Sequence, residues 1–349
     1  MFFMLIRNLC SKVRFVAFAC ISGFAFTGCS LLQEDLEPCP AQLRLQFVYN
    51  YNLLKADAFS TQVTSVNVWA FDASGACVWS GAESGEKLTE PGYIMDTPLS
   101  EGVYDFVVWG GLNDNADFDL ATYTPESKEE LEVTLKTVAK DGENVSASHF
   151  KGLFHGYVSN VSYTIDPQSP SITTVTVPLI KDTNDIAVML CNENGNALDA
   201  DDFTVKFTYA DSRLAWNNQV KDASPLVTYQ PWSQLYGQTT LQPLSSGDNS
   251  AVRSTILYEL SVSRLMVGGN AYLDVVRNVD NKTIIHVPLI QYFLLEKGNR
   301  FDIFGDQEYL DRRDDYTVLF FLDNDNDWYM SAGIYINSWV VVPPQNEGF

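Results

Sequence analysis

Leu43, Leu45, Phe47, Tyr49 and Tyr51 alternate with Arg44, Gln46, Val48 and Asn50. This period of two predicts a β-strand with one buried face. Residues 64–71 are apolar on both faces, as in a core strand, and end at Asp72-Ala73-Ser74-Gly75, a turn signal leading into 76–79. Residues 103–109, stopped by Gly110-Gly111, predict the next strand, and 131–137, 156–164 and 172–180 continue the series. A helical period of 3.6 is scarce, and turn signals recur at the spacing of a β-sandwich. The chain therefore reads as mostly β.

A polar break at 181–185 (KDTND) interrupts the pattern. A second series follows, with strands expected at 186–191, 203–209, 256–262, 272–276, 283–295, 317–322 and 334–342. Some 320 residues beyond residue 28 exceed what one hydrophobic core ordinarily supports, about 250 to 300. Two sandwiches are expected, over 41–182 and 183–349. The tetrapeptide Val-Pro-Leu-Ile occurs in both halves, at 177–180 and 287–290, which hints that the two are related.

The N-terminus has a different pattern. Arg7, Lys12 and Arg14 precede an apolar run over 15–26. That run is too short to span a bilayer, which takes about 20 residues, but has the length of a signal-peptide core. Residues 1–28 are expected to be an export signal. It closes on Phe26-Thr27-Gly28-Cys29, which resembles the lipobox of bacterial lipoproteins, with Phe26 where Leu is commonest. Cleavage between Gly28 and Cys29 would leave Cys29 as the first mature residue, with acyl chains on its sulfur and amino group. Several chains together exceed the two-signal requirement for stable anchoring. The alternative is a secreted protein cleaved nearby with an ordinary cysteine.

Residues 29–40 read as a tether carrying Glu34, Asp35 and Glu37 and no basic residue. The acidic cluster resembles the signal by which Bacteroidia send lipoproteins to the outer face of the outer membrane. The first mature basic residue is Arg44, inside a predicted strand, so a protease specific for basic residues meets no exposed site in the tether.

Net charge is −22 at pH 7. Residues 1–28 hold three basic residues and no acid, so the mature chain stands at −25. Such a surface repels nucleic-acid phosphates and anionic headgroups, so a nucleic-acid partner is not expected and membrane attachment falls to the lipid. Cys39, Cys77 and Cys191 match no zinc spacing. Cys39 and Cys77 can be drawn as a pair, but Cys77 reads better as a small strand hydrophobe.

Catalytic and cofactor motifs are missing. His149, His155 and His286 are not in HExxH spacing, and no GxSxG, P-loop or GxGxxG is present. No enzyme activity and no cofactor are expected. His286, in TIIHVPLI, reads as a strand residue with a satisfied ring. Residues 323–327 (DNDND) look like the start of a calcium loop, but Trp328 stands where Gly is needed and Ile334 where Glu is needed. A solvated turn explains them better, and no metal site is expected.

The succession of motifs resembles a family. Asp35-Leu36, Cys39, LRLQFVYNYN, Ala56-Asp57-Ala58-Phe59, VNVWAFDASG, EGVYDFVVWGGL, KDTNDIAVML, ELSVSRL, VPLIQYFLL, Tyr309-Leu310-Asp311-Arg312 and INSW at 336–339 are similar, in order, to the FimB-type fimbrial anchor (minor fimbrial subunit) family of Bacteroidia. The resemblance implies two tandem transthyretin-like β-sandwich domains after the lipoprotein signal and acidic tether. It implies a structural protein lipidated in the outer membrane at the base of a fimbria, with the major stalk subunit as partner. In related stalk subunits, proteolysis at a basic residue removes an N-terminal segment and opens a groove for a neighbour's strand. An anchor would lose its lipid that way.

Strand exchange suits an incomplete sandwich, because an added strand satisfies bare backbone groups and covers an apolar groove. The candidate segment is 334–342, with Ile334, Ile336, Ser338 and Val340 on one face, and Tyr335, Trp339 and Val341 on the other. It reads more readily as the last core strand of the second half. Other readings are a lipidated stalk or tip subunit with an adhesive role, and a surface lipoprotein that binds glycans with Trp79, Trp109, Trp216, Trp232 and Trp328. A glycoside hydrolase would need a carboxylate pair across a cleft, and nothing in the sequence marks one.

Overall fold

The computed structural model describes residues 41–113, 115–166, 168, 171–243, 252–298 and 301–341. The expected signal with Gly28 and Cys29, and the tether with Cys39, lie outside the described residues. Among the described residues, those of 43–164 and 174–341 form one compact unit, and those of 41–42 and 165–173 belong to another. The first of these units carries the architecture described below.

Its first half contains β1 (Gln42–Val48), β2 (Ser65–Asp72), β3 (Cys77–Ser84), β4 (Ile94–Thr97), β5 (Gly102–Gly110), β6 (Phe118–Leu120), β7 (Glu132–Leu135), β8 (Val138–Lys140), β9 (Glu143–Ser146), β10 (Phe154–Tyr163) and β11 (Ile172–Lys181). The second half contains β12 (Asn184–Asn192), β13 (Phe203–Tyr209), β14 (Arg213–Ala215), β15 (Val227–Tyr229), β16 (Ser233–Thr239), β17 (Arg253–Val262), β18 (Tyr272–Arg277), β19 (Lys282–Pro288), β20 (Asp315–Leu322), β21 (Ile334–Ile336) and β22 (Trp339–Val341). Three short helices are α1 (Phe59–Gln62), α2 (Leu289–Lys297) and α3 (Asp306–Arg312). The mostly-β expectation holds.

Seven strands run in the order β3-β2-β5-β10-β11-β1-β4. Within this sheet, Phe154, His155 and Gly156 of β10 oppose Lys181, Ile180 and Leu179 of β11. Tyr49, just past β1, packs its ring edge-on against Phe154 with centroids 5.1 Å apart. Gly111 ends β5 with φ +77, and a Cβ there would lie 2.0 Å from the Gly152 carbonyl oxygen. Only glycine fits that position.

The second half builds a sheet β16-β17-β12-β20-β21-β22 that shares one core with a sheet β19-β18-β13-β15-β9-β8. Alternate residues of the first sheet enter that core, among them Val188, Ile256, Val318 and Ile334. The halves are interleaved. β9 pairs in parallel with β15, so the excursion between β5 and β10 supplies β8 and β9 to a second-half sheet, while β14 of the second half pairs with β7 in the small sheet β14-β7-β6. On the helical side, Arg312 of α3 lies over the Tyr51 ring at 4.0 Å and donates to the Asn50 and Asn52 carbonyls.

Two strand expectations are corrected. The strand expected at 283–295 ends at Pro288, and α2 follows. Leu289, Ile290, Tyr292 and Phe293 are its buried residues, Lys297 sits in its last turn, and Gly298 ends it at φ +28. That is helical spacing with a C-terminal glycine and a cation near the dipole's negative end, hidden in a nearly continuous apolar run. The Val-Pro-Leu-Ile echo is therefore not structural, since its first copy lies in β11 and its second crosses from β19 into α2.

The single strand expected at 334–342 is a hairpin within its described part. Asn337 and Ser338 both have positive φ, 49° and 71°, and reverse the chain between β21 and β22. Two left-handed residues match the twist of an antiparallel pair. Asn337 fixes the turn: its N–H donates to the Thr317 carbonyl at 2.8 Å, and its Oδ1 accepts from the Thr317 N–H at 2.8 Å.

Candidate assembly site

β1 lies between β11 and β4, hydrogen-bonded on both sides. Leu43, Leu45, Phe47 and Tyr49 are buried. Arg44 opposes Asp96 of β4, and its Nε lies 2.7 Å from the carboxylate. Four buried side chains are worth about 1.5–3 kcal/mol each, which together approaches the whole stability of a typical domain, about 5–15 kcal/mol. Detaching this strand would dismantle the sandwich that it completes.

At the other terminus, the hairpin separates the four expected strand-exchange residues. Ile334 and Ile336 point into the core and are buried, Ser338 is in the turn, and Val340 is 40% exposed. Val340 instead joins a row on the outer face of its sheet. In register across six strands stand Leu235, Leu257, Met189, Leu319, Tyr335 and Val340. The sheet thus has a second apolar stripe on the face turned from the main core. A depression of about 490 Å³ opens there, lined by Met189, Thr239, Leu241, Leu319 and Tyr335 among others. Cys191, Phe321 and Ala332 pack with Leu319 into a satellite cluster beside it.

Further along the same face, a cavity of about 250 Å³ is lined by Trp232, His149, Asp185, Glu259, Asp315 and Thr317 among others. The His149 ring stacks on Trp232 with centroids 4.1 Å apart.

Between the halves sits a buried charged node. Arg264 forms a two-pronged ion pair with Asp311 of α3, donates to the Asn218 carbonyl, and has Nε 3.7 Å from Asp182. Asn218 donates to Asp182 Oδ1 at 2.8 Å, whereas Oδ2 has no hydrogen-bond partner. Burial raises the Asp182 carboxyl to about 7, against the pull of Arg264. Asp211 is pushed up to about 8 by burial, with the Tyr229 hydroxyl donating to it at 2.6 Å. Burial has the opposite effect on His155, holding it down to about 3. A neutral His155 with its proton on Nε2 donates to the Trp216 carbonyl at 2.7 Å, tying β10 to the hairpin after β14.

The remaining sequence candidates have structural roles. His286 opposes Asp274, with Nδ1 at 2.6 Å, and stacks on Tyr272. Residues 323–327 form a turn in which Asp323 accepts from the N–H groups of Asp325 and Asp327, both at 2.9 Å. Asp327 is ion-paired with Arg277 and Lys282. Cys77, half-buried against the core, and the buried Cys191 are both free thiols. Trp109 is fully buried, and Trp216 lies beneath the Lys128 ammonium at 4.5 Å. The five candidate tryptophans form no common platform: Trp109 packs edge-on against His155, Trp216 against Tyr157, Trp232 stacks on His149, Trp328 packs on Phe320, and Trp79 covers Gly81.

Residues 36–343 match the model of the fimbrillin-A associated anchor proteins Mfa1 and Mfa2. The chain belongs to this family. As a fimbrillin-associated anchor-family protein it has a structural fimbrial role at the cell surface or envelope. A comparison with curated proteins gives no match. Among solved structures, a candidate adhesin from Bacteroides thetaiotaomicron is 29% identical, with a TM-score of 0.74 over 88% of this chain and 100% of that one. A candidate polysaccharide-binding protein from the same organism is 25% identical, with a TM-score of 0.71 over 87% and 99%. The fimbrial anchor protein Mfa2 from Porphyromonas gingivalis is 15% identical, with a TM-score of 0.64 over 87% and 99%, a likeness of fold.

Sequence reasoning missed the features of this anchor-family protein that join its halves. β9 and β15 are short, and the alternation of β7 was visible without its partner β14. One signal was available for the node: Arg264 is a lone charge in the apolar stretch that follows β17.

Proposed function

We propose that this protein is an outer-membrane lipoprotein that holds a fimbria at its base. Acylated at Cys29 after removal of residues 1–28, it stands on the cell surface by its acidic tether and receives the first stalk subunit by β-strand addition. Its body is two transthyretin-like sandwiches, 41–182 and 183–349, laced together by the β7–β14 and β9–β15 pairs. The observation that carries the reading is the family match, which begins at residue 36, just past the lipobox cysteine. The position of Arg44 within a doubly paired strand supports it, because the N-terminal segment stays attached to the body. No helix of the described residues is long and apolar enough to cross a membrane, which is consistent with attachment by lipid.

The test is Cys29→Ser in cells that make the fimbria. The protein and its fimbriae are expected to leave the membrane fraction for the medium. Fimbriae retained on cells at wild-type levels would overturn the reading.

Adhesion to a glycan is a second reading, favoured by the Trp232 cavity, where an aromatic ring meets three carboxylates. The relative described as polysaccharide-binding supports it. Binding to a polysaccharide array that is lost in Trp232→Ala would favour it; equal signal from both proteins would remove it.

A further inference from the structure

Strand addition needs an open edge, and among the described residues the four sheets end on eight strands. Seven carry features that discourage pairing. β6, β8, β14 and β22 have three residues each, and β4 has four. β19 is interrupted by a register shift and carries Lys282 and Pro288. β3 has a register shift near its start, is bridged there from Ala76 to Ser127, and carries Glu83.

β16 has none of these features. Its seven residues, Ser-Gln-Leu-Tyr-Gly-Gln-Thr, contain no charge and no proline, in a chain whose net charge is −22. Register with β17 is unbroken from Ser233 opposite Glu259 to Thr239 opposite Arg253. Leu235 and Tyr236 are 50% and 68% exposed along this edge. Gly237 leaves the backbone open to close approach, since a Cβ there would meet only Thr255 Oγ1, at 3.2 Å. Leu235 also ends the apolar row that crosses the outer face from Val340.

We propose that β16 is the edge to which another protein chain adds an extended, uncharged strand, placing an apolar side chain beside Leu235 and lengthening that row by one position. The inference rests on the strand-addition reading above and names its surface. Main-chain hydrogen bonds to the free edge give affinity, and the side chain beside Leu235 gives register. A charge in the added strand at that position would be desolvated without a partner.

The test uses the full chain in cells that make the fimbria. A photo-reactive side chain replaces Gln234 in β16, and in separate strains Ile94 in β4 or Trp339 in β22. Cross-linking from position 234 to a different fimbrial protein, with little from 94 or 339, is the expected result. A companion variant, Leu235→Lys, alters a half-exposed side chain and should fold as the parent does by circular dichroism. It should reduce the co-purified fimbrial subunit about tenfold or more, as one unpaired interfacial charge does. Cross-links only from 94 or 339, or from 234 only to a second copy of this chain, would overturn the β16 assignment while leaving the anchoring reading intact. Purified membrane protein carrying no fimbrial subunit in any strain, the parent included, would sink both.

Discussion

Arg264 grips both carboxylate oxygens of Asp311, with Nε 3.0 Å from Oδ1 and Nη2 2.8 Å from Oδ2. Both side chains are almost fully buried, and Asp182 Oδ1 lies 3.7 Å from the same Nε. The pair joins the chain after β17 to α3, while Asp182 adds the end of β11. Only a planar, forked cation satisfies that arrangement. Arg264→Lys is therefore expected to cost about 3 kcal/mol or more in urea unfolding, because it strands buried carboxylates. A loss below about 0.5 kcal/mol would show that the node is not a structural joint.

Asp211 gives a pH dependence with a definite sign. Burial lifts its carboxyl to about 8, against an ordinary value of 3.8, so between those pH values the folded state holds a proton that the unfolded chain releases. Its stabilising contribution is complete below about pH 4 and is lost as pH rises through 8. Asp182, lifted to about 7, acts in the same direction. Asp211→Asn stays neutral throughout, so its stability relative to the parent should improve from pH 5 to pH 8.5, by about 1.4 kcal/mol per pH unit within the window. Parallel stability curves for the two proteins would contradict this.

His155 acts in the opposite direction. Held down to about 3 by burial, it is neutral when folded, whereas the unfolded imidazole takes a proton below about 6.5. Its contribution is present above that value and is lost as pH falls towards 3. His155→Gln should reduce acid sensitivity between pH 6 and 4 in chemical unfolding, relative to its own stability at pH 7.5. An unchanged acid limb would refute the buried neutral ring.

Arg44 should resist proteolysis in the native protein. Its strand is paired on both sides and its guanidinium is bound to Asp96. A protease needs an extended, accessible backbone. Trypsin at 25 °C is expected to leave the peptide bond after Arg44 intact and to cut it after thermal unfolding, as read by N-terminal mass spectrometry. Rapid native cleavage at that bond would show a loosely held β1.

Asn337 tests the terminal hairpin. Asn337→Ala loses the side-chain acceptor for Thr317 and places alanine at a positive φ, for an expected cost of about 1–2 kcal/mol. Asn337→Gly should cost less, since only the hydrogen bond is lost. Equal losses would remove backbone conformation from the account.

Strands with a clean period of two were legible in the sequence because burial on one face enforces that pattern. Leu43 to Tyr49 and Phe203 to Tyr209 are examples. α2 was not, because Leu289 to Leu295 is nearly all apolar and such a run fits strand or helix alike. The reversal at Asn337-Ser338 was hidden because residues on either side keep a plausible alternation through it. β16 escaped notice because an edge strand facing water has no buried side to impose a pattern: Ser233 to Thr239 are all exposed or half-buried. The joint at Arg264 depends on residues 47 and 82 positions away, Asp311 and Asp182, which sequence spacing alone cannot connect.

The most direct test of the central claim is the mature N-terminus and its company. The protein is released gently from membranes of cells that make the fimbria, its N-terminal peptide is identified by mass spectrometry, and co-purified proteins are identified. The account predicts an acylated Cys29 and an attached fimbrial stalk subunit. A terminus at or beyond Arg44, or an acylated protein with no fimbrial subunit, would contradict it.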